Sequence, residues 1–194
     1  MKTIIGIDPG KSGGIAVCKG GLIVDFQKYP NTLGELVDIV KKIDDDWSDF
    51  GKPLAYLEHV HAFPTDARSA AFKFGTNYGL WQGVLLGLEI EYKTVAPQVW
   101  MKPLGLPKNK QERKRRLKEL AQNVIDKQTY ESVPTPVNNK RVTLNTADAI
   151  IISMYGYLKE TVENMSLDKK LEVFSIFKQK EENNGSWKGK HYKL

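Results

Sequence analysis

Residues 3–8, TIIGID, are a β-branched, apolar run that ends in a carboxylate and is followed at once by the turn pair Pro9-Gly10. An apolar run without alternation is the pattern of a central strand covered on both faces. A chain that opens on such a strand needs helices above and below it, so an α/β layer architecture is the first expectation. The carboxylate is the second constraint, because α/β folds collect their ligands beyond the ends of central strands. Asp-Pro-Gly by itself is equally a turn sequence with Asp as turn former. The GKS of Gly10-Lys11-Ser12 does not make a phosphate loop. That motif requires a Gly five residues before the Gly of GKS, and the residue there is Ile5.

Further elements follow the same logic. Residues 13–18 and 22–27 read as strands joined by a Gly20-Gly21 hairpin turn. Thr32 and Glu35 have capping-box spacing at the head of a helix that places Leu33, Leu36, Val37, Val40 and Ile43 on one face. Residues 53–60 read as a fourth strand and 90–95 as a fifth. Between them, a helix over about 65–88 puts Ala67, Ala70, Phe74, Tyr78, Trp81, Leu85 and Leu88 at 3–4 spacing. The same helix carries Gly75, Gly79, Gly83 and Gly87, each costing about 1 kcal/mol relative to Ala. Close packing would offset that cost, either within the chain or across a two-fold axis. A basic helix runs to about 125, and 146–158 is a last apolar helix. The expected fold is α/β: a mixed five-stranded sheet flanked by helices. One domain would span 1–165, and 166–194 would be a C-terminal extension with a loose polar tail.

Charge is concentrated. The chain has 29 Lys+Arg and 23 Asp+Glu, a net +6, and residues 108–118 alone supply a surplus of six. The remainder is balanced. Such a stretch points to a phosphate-rich partner, although charge runs are often solvated helix faces, and Glu112–Arg116 and Arg115–Glu119 could pair there. It lacks the bulky apolar face of a membrane-surface helix, and no apolar run approaches the roughly 20 residues of a membrane span. A single cysteine, Cys18, excludes a disulfide framework and a cysteine-built zinc site. The apolar start is broken at Asp8 and Pro9, unlike a signal peptide, so a cytoplasmic location is expected.

Two further acids stand in unusual places. Glu58 closes the apolar run Leu54-Ala55-Tyr56-Leu57, where a carboxylate needs a partner. If the first and fourth strands pair in parallel, Asp8 and Glu58 lie side by side, and a divalent cation would relieve their repulsion. Asp148 opens the last helix and shares a face with Asn145, three residues earlier. Asn145 as N-cap with Asp148 in the first turn is the plainer reading of that pair. His59 and His61 flank Val60; without a third His they read as loop residues near nucleic acid.

In order and in context, these pieces resemble the RuvC-type Holliday-junction resolvases: Ile5-Gly6-Ile7-Asp8-Pro9-Gly10, then Leu57-Glu58, then Ala147-Asp148-Ala149. Residues 69–79 (SAAFKFGTNYG) and Pro97-Gln98-Val99-Trp100 are similar to further segments of that family, and the likeness spans about residues 3–158. A bacteriophage member fits, acting in the host cytoplasm. The resemblance implies a ribonuclease-H-like fold and a homodimer that cuts branched DNA, above all four-way junctions, in recombination and repair. It implies hydrolysis to 5′-phosphate and 3′-hydroxyl ends with two Mg²⁺ per site, Mn²⁺ being able to substitute. Asp8, Glu58 and Asp148 would be the catalytic metal-binding carboxylates, with Asp8 bridging both ions. Asn145 stands where the family usually has Asp or His. Its amide oxygen is a weaker ligand because it brings no charge. Lys110 lies near the family's functional lysine. Lys108, Lys110, Arg113 and Lys114, with Arg68 and Lys73 on the long helix, would grip phosphates, and Phe63 would wedge against bases. Two rivals stand beside this reading. One is a non-catalytic, structure-specific DNA-binding protein of the same fold. The other is an actin-like or sugar-kinase ATPase, which needs a second phosphate loop and a much longer chain.

Overall fold

Strands β1 (Thr3–Asp8), β2 (Gly14–Lys19), β3 (Leu22–Lys28), β4 (Leu54–Glu58) and β5 (Tyr92–Val95) form one sheet in the order β3-β2-β1-β4-β5. The computed structural model describes residues 2–47, 51–59, 61, 65, 67–130, 137 and 140–161. Phe63, the boundary at 165 and the 166–194 extension lie outside these residues. β2 is antiparallel to β1 and β3, whereas β4 is parallel to β1 and β5. The helices are α1 (Leu33–Trp47), α2 (Arg68–Gly87), α3 (Pro97–Met101), α4 (Lys110–Tyr130) and α5 (Ala147–Thr161), with a 3-10 turn at Lys102–Leu104. This is the expected mixed sheet flanked by helices. Among the described residues no helix is long and apolar enough to cross a membrane.

Local chemistry accounts for the joints. Gly20 and Gly21 have φ of 61° and 90°, the left-handed pair that a two-residue hairpin between twisted strands requires. At the head of α1, Thr32 Oγ1 accepts the Glu35 N–H at 3.2 Å. The Glu35 carboxylate reaches one residue further back than a standard capping box and accepts from the Asn31 N–H at 2.8 Å.

Alternation along β1 and β4 divides two cores. Ile5, Ile7, Ala55 and Leu57 pack with Leu36 and Val40 of α1 and Trp81 and Leu85 of α2. Ile4, Leu54 and Tyr56 pack on the other face with Leu117 and Ala121 of α4 and Ile150 and Met154 of α5. On that second face the middle of β1 is Gly6, and a Cβ there would overlap the backbone at Ala149 and Ser153. Its lack of a side chain lets α5 lie directly on the strand.

Several expectations need correction. The inward stripe of α2 is centred on Trp81 and Leu85; Phe74 is half exposed, and Ala67 precedes the helix. Among the described residues, nothing outside the local helix backbone lies within 4 Å of a Cβ built at Gly75, Gly79, Gly83 or Gly87. The glycine row therefore faces away from the buried stripe and makes no close contact with the other described elements. β4 and β5 are shorter than expected, because pairing ends where the chain leaves the sheet edge. The short α3 was not anticipated; Pro97 starts it and buried Trp100 anchors it.

Gly6→Ala should cost about 1–3 kcal/mol or more, as overpacking of a filled core does, lowering the midpoint of thermal unfolding. Gly34→Ala meets only Thr32 Oγ1 at 3.9 Å and should gain up to about 1 kcal/mol from helix propensity. Equal melting of the two variants would contradict the close seating of α5.

Candidate metal-binding carboxylate site

The β1–β4 register pairs Gly6 with Tyr56 and Ile7 with Leu57. One residue further, Asp8 comes level with Glu58 at the shared C-terminal edge. Both continue the parity of the Gly6–Tyr56 row, so both belong to the sheet face that carries α5. Asp8 is held by its own turn: its Oδ1 accepts the Gly10 N–H at 3.0 Å, and the Gly13 N–H closes onto the Gly10 carbonyl at 2.7 Å. The wall is tight, since a Cβ at Gly13 would collide with Asp8 itself.

The first turn of α5 brings the third carboxylate. Its cap is Thr146. Thr146 Oγ1 accepts the Thr143 N–H at 3.0 Å, and the Thr146 carbonyl accepts the Ile150 N–H at 3.1 Å. Asn145 therefore stands one residue ahead of the cap, and its side chain makes no hydrogen bond among the described residues. The capping reading of Asn145 is corrected, because α5 starts at Ala147 and puts Thr146, not Asn145, at the capping position. Asp148 likewise accepts no backbone N–H among the described residues, so it is not engaged in capping.

The three acids share one electric field. Burial, then the charges of Asp8 and Asp148, push Glu58 up to about 8, against a pull downward from Trp100. Burial and the Asp8 charge push Asp148 up to about 7, opposed by Lys114 and Arg113. Asp8 is raised by burial, opposed by the Gly10 N–H and Lys114. None of the three has an ion-pair partner within 4 Å among the described residues. Like charges held in poor solvent with no directly paired counter-ion favour a bound cation. The donors are all hard oxygens, the set suited to Mg²⁺ or Mn²⁺. The residues fit such an ion chemically, although among the described residues no three His, Cys, Asp or Glu side chains are already gathered into a cage.

Trp100 is the residue that sequence reasoning missed. Its indole Nε1–H donates to Glu58 Oε1 at 3.0 Å in a buried contact, which fixes the orientation of the most buried of the three acids. The available signal was a Trp just beyond the strand that neighbours β4, in a short helix opened by Pro97.

Of the predicted basic residues, Lys114 and Arg113 act on the acids, and Arg113 Nη1 also donates to the Lys108 carbonyl at 3.0 Å. Lys108 and Lys110 are exposed at the head of α4, where Asn109 Oδ1 caps the Gln111 and Glu112 N–H groups at 2.9 and 3.1 Å. Arg68 and Lys73 are exposed on α2, which packs on the opposite face of the sheet. The His59 and His61 rings lie 6.0 Å apart.

No protein-family model matches this chain, and no curated protein does. Among solved structures it is similar to T. thermophilus RuvC in complex with Holliday junction substrate, with a TM-score of 0.50 and 14% identity over 83% of this chain and 96% of that one. A second structure of Thermus thermophilus RuvC has a TM-score of 0.49 and 15% identity over 82% and 96% of the two chains. The chain thus has a RuvC-like α/β fold.

Raised carboxyl pKa values imply a defined pH dependence. Between the unfolded values near 4 and the folded values of about 7 and 8, the folded chain binds more protons than the unfolded one. Stability then falls as pH rises through that window. In EDTA, thermal melts should show a lower midpoint at pH 8.5 than at pH 5.5, and Glu58→Gln or Asp148→Asn should flatten the difference. Added Mg²⁺ or Mn²⁺ should raise the midpoint of the parent chain at pH 8.5 more than that of either variant. A parent chain equally stable at both pH values in EDTA would contradict the shared field.

Proposed function

We propose that this chain is a metal-dependent endonuclease for branched DNA, resolving four-way junctions by phosphodiester hydrolysis to 5′-phosphate and 3′-hydroxyl ends. The observation that carries the proposal is the convergence of Asp8, Glu58 and Asp148, from three separate elements, on one sheet edge with no ion-pair partner within 4 Å among the described residues. The junction bound by T. thermophilus RuvC supplies the substrate class, and the ordered motifs of this sequence agree with it.

Asp8, Glu58 and Asp148 would hold two Mg²⁺ ions, with Mn²⁺ able to replace them, and Asn145 would offer a neutral oxygen on the Asp148 side. Ions bound there would polarise the phosphoryl group and lower the pKa of an attacking water. The protein's own contribution is positional. Trp100 fixes Glu58, the Gly10 N–H fixes Asp8, and the Thr143–Thr146 lock sets the start of α5. Lys114 and Arg113 offset charge at the acids and meet the phosphates of the incoming strand, with Lys108 and Lys110 further along the same helix.

Cutting opposite strands of a junction calls for two sites related by symmetry, so the active species is a homodimer. Our choice of contact is the outward face of α2, where the glycine row lies beside Leu86, 65% exposed. The second reading, a non-catalytic junction-binding protein of this fold, draws on the absence of a ready-made cage among the described residues. It predicts binding without cleavage.

Cleavage of a synthetic immobile junction separates the two readings. The parent chain should cut with Mg²⁺ or Mn²⁺ and not in EDTA. Asp148→Asn should keep junction affinity and lose cleavage, because an amide does not supply the anionic ligand. Asn145→Ala should melt normally and lose part of the rate, and Asn145→Asp should cut at lower Mg²⁺. Cleavage at the parent rate by Asp148→Asn would remove Asp148 from the site. For the dimer, Gly79→Leu should leave the fold intact and convert a sedimenting dimer to a monomer.

A further inference from the structure

Just beyond Glu58 the chain carries two imidazoles that the carboxylate site does not use, His59 and His61. Alternation fixes the side on which His59 stands. Tyr56 packs in the core beneath α4 and α5, and Leu57 packs in the core beneath α1 and α2. Glu58 continues the first row, so His59 continues the second. Its contacts agree. The His59 ring meets the Tyr78 ring of α2 edge-on, with centroids 6.1 Å apart and planes at 78°. Tyr78 shares the helix face of the buried residues Trp81 and Leu85. That contact is therefore on the sheet side of α2, away from the glycine row.

A shared ion needs two donors within its reach. The His59 and His61 ring centroids are 6.0 Å apart, with planes 32° from parallel. Two imidazoles that share a tetrahedral ion through bonds of about 2.0–2.1 Å have centroids roughly 5 Å apart. Both side chains are exposed, and a shift of about 1 Å brings them to that spacing. His59 is held in advance, since its N–H donates to the Val95 carbonyl at 2.8 Å and its ring leans on Tyr78. A ligand ordered before binding saves the entropy of ordering it afterwards.

Donor chemistry decides which ion fits. Imidazole nitrogen suits Zn²⁺, Ni²⁺ and Cu²⁺, whereas Mg²⁺ takes oxygen. Among the described residues no third His, Cys, Asp or Glu completes a cage around the pair. Water would fill the remaining positions, leaving the ion an open side.

We propose that His59 and His61 form a nitrogen-donor site for one divalent transition ion of the Zn²⁺ class, on the face of the sheet edge opposite the carboxylates. Two sites at one edge are then sorted by donor, hard oxygens toward α5 and imidazole nitrogens toward α2. An ion shared by residues 59 and 61 clips the chain where it leaves β4, directly after Glu58. Its binding does not depend on whether the carboxylates cut DNA.

The test is calorimetric titration of the untagged full chain with Zn²⁺ in saturating Mg²⁺, where the parent should bind one ion. His59→Gln and His61→Gln should each weaken binding by about ten-fold or more, because losing even a group behind a ligand costs that much. Both positions are exposed, so without Zn²⁺ the two variants should melt with the parent. His191→Gln and Asp148→Asn should keep the parent affinity. With Cu²⁺ as the probe, electron paramagnetic resonance should show coupling to two imidazole nitrogens in the parent and to one in either variant. Parent affinity in His59→Gln or His61→Gln would overturn the proposal. So would Zn²⁺ binding that Asp148→Asn or His191→Gln abolishes, since the ion would then sit among the carboxylates or on the tail. The endonuclease reading fails separately, by a chain that binds Zn²⁺ through both imidazoles and leaves junctions uncut in Mg²⁺.

Discussion

The backbone of α5 rests on β1 at Gly6, nearer than any side chain would permit, and the candidate site is a consequence of that contact. With α5 seated there, its first turn comes over the C-terminal edge of the sheet, where Asp8 and Glu58 already stand level. The parity of β1 and β4 aims both acids at the helix rather than at the α1–α2 layer. A residue with a Cβ at position 6 would lift α5 and separate Asp148 from the other two acids. The same contact brings α4, packed on α5, close enough for Lys114 and Arg113 to act on the carboxylates.

The two ends of α5 treat carboxylates in opposite ways. Near its C-terminus, burial raises the Glu160 pKa, but bonds from Lys2 at 2.7 Å, Lys93 at 2.6 Å and the Tyr56 hydroxyl at 2.7 Å outweigh it and take the group down to about 2. Near its N-terminus, Asp148 is pushed up to about 7 beside two other acids. The first carboxylate is satisfied within the fold and ties the helix to β4, β5 and the residue just before β1. The second is left with unmet charge. A structural acid is normally paired in this way, and unrelieved acids clustered at a strand edge are the signature of a functional site.

The sheet edge offers different chemistry on its two faces. On the α5 side lie acids with cationic neighbours on α4. On the α1–α2 side lie exposed rings and two lysines, around a groove that begins at the turn leaving Asp8. That turn is clamped by the Gly10 N–H donating to Asp8 Oδ1.

Much of this was legible in the residues. The apolar run ending in Asp8, the glycine hairpin and the Thr32 cap are local signals, and local signals decide the elements and their order. The acids Asp8, Glu58 and Asp148 stood out because each interrupts an apolar context. Other features depend on distant partners. Asn145 next to Asp148 has capping spacing, but α5 starts at Ala147 and leaves Asn145 one residue ahead of the capping position. The glycines of α2 follow a regular spacing, yet only the packed sheet decides that they face outward. Trp100 meets Glu58 because β5 lies beside β4, and nothing local announces a bond between residues 42 positions apart. The sequence alone determined which elements form and which residues carry charge or apolar surface, because those depend on near neighbours along the chain. Only the tertiary structure decided which charges meet and which faces stay open, because burial and Coulomb interaction depend on distance in space.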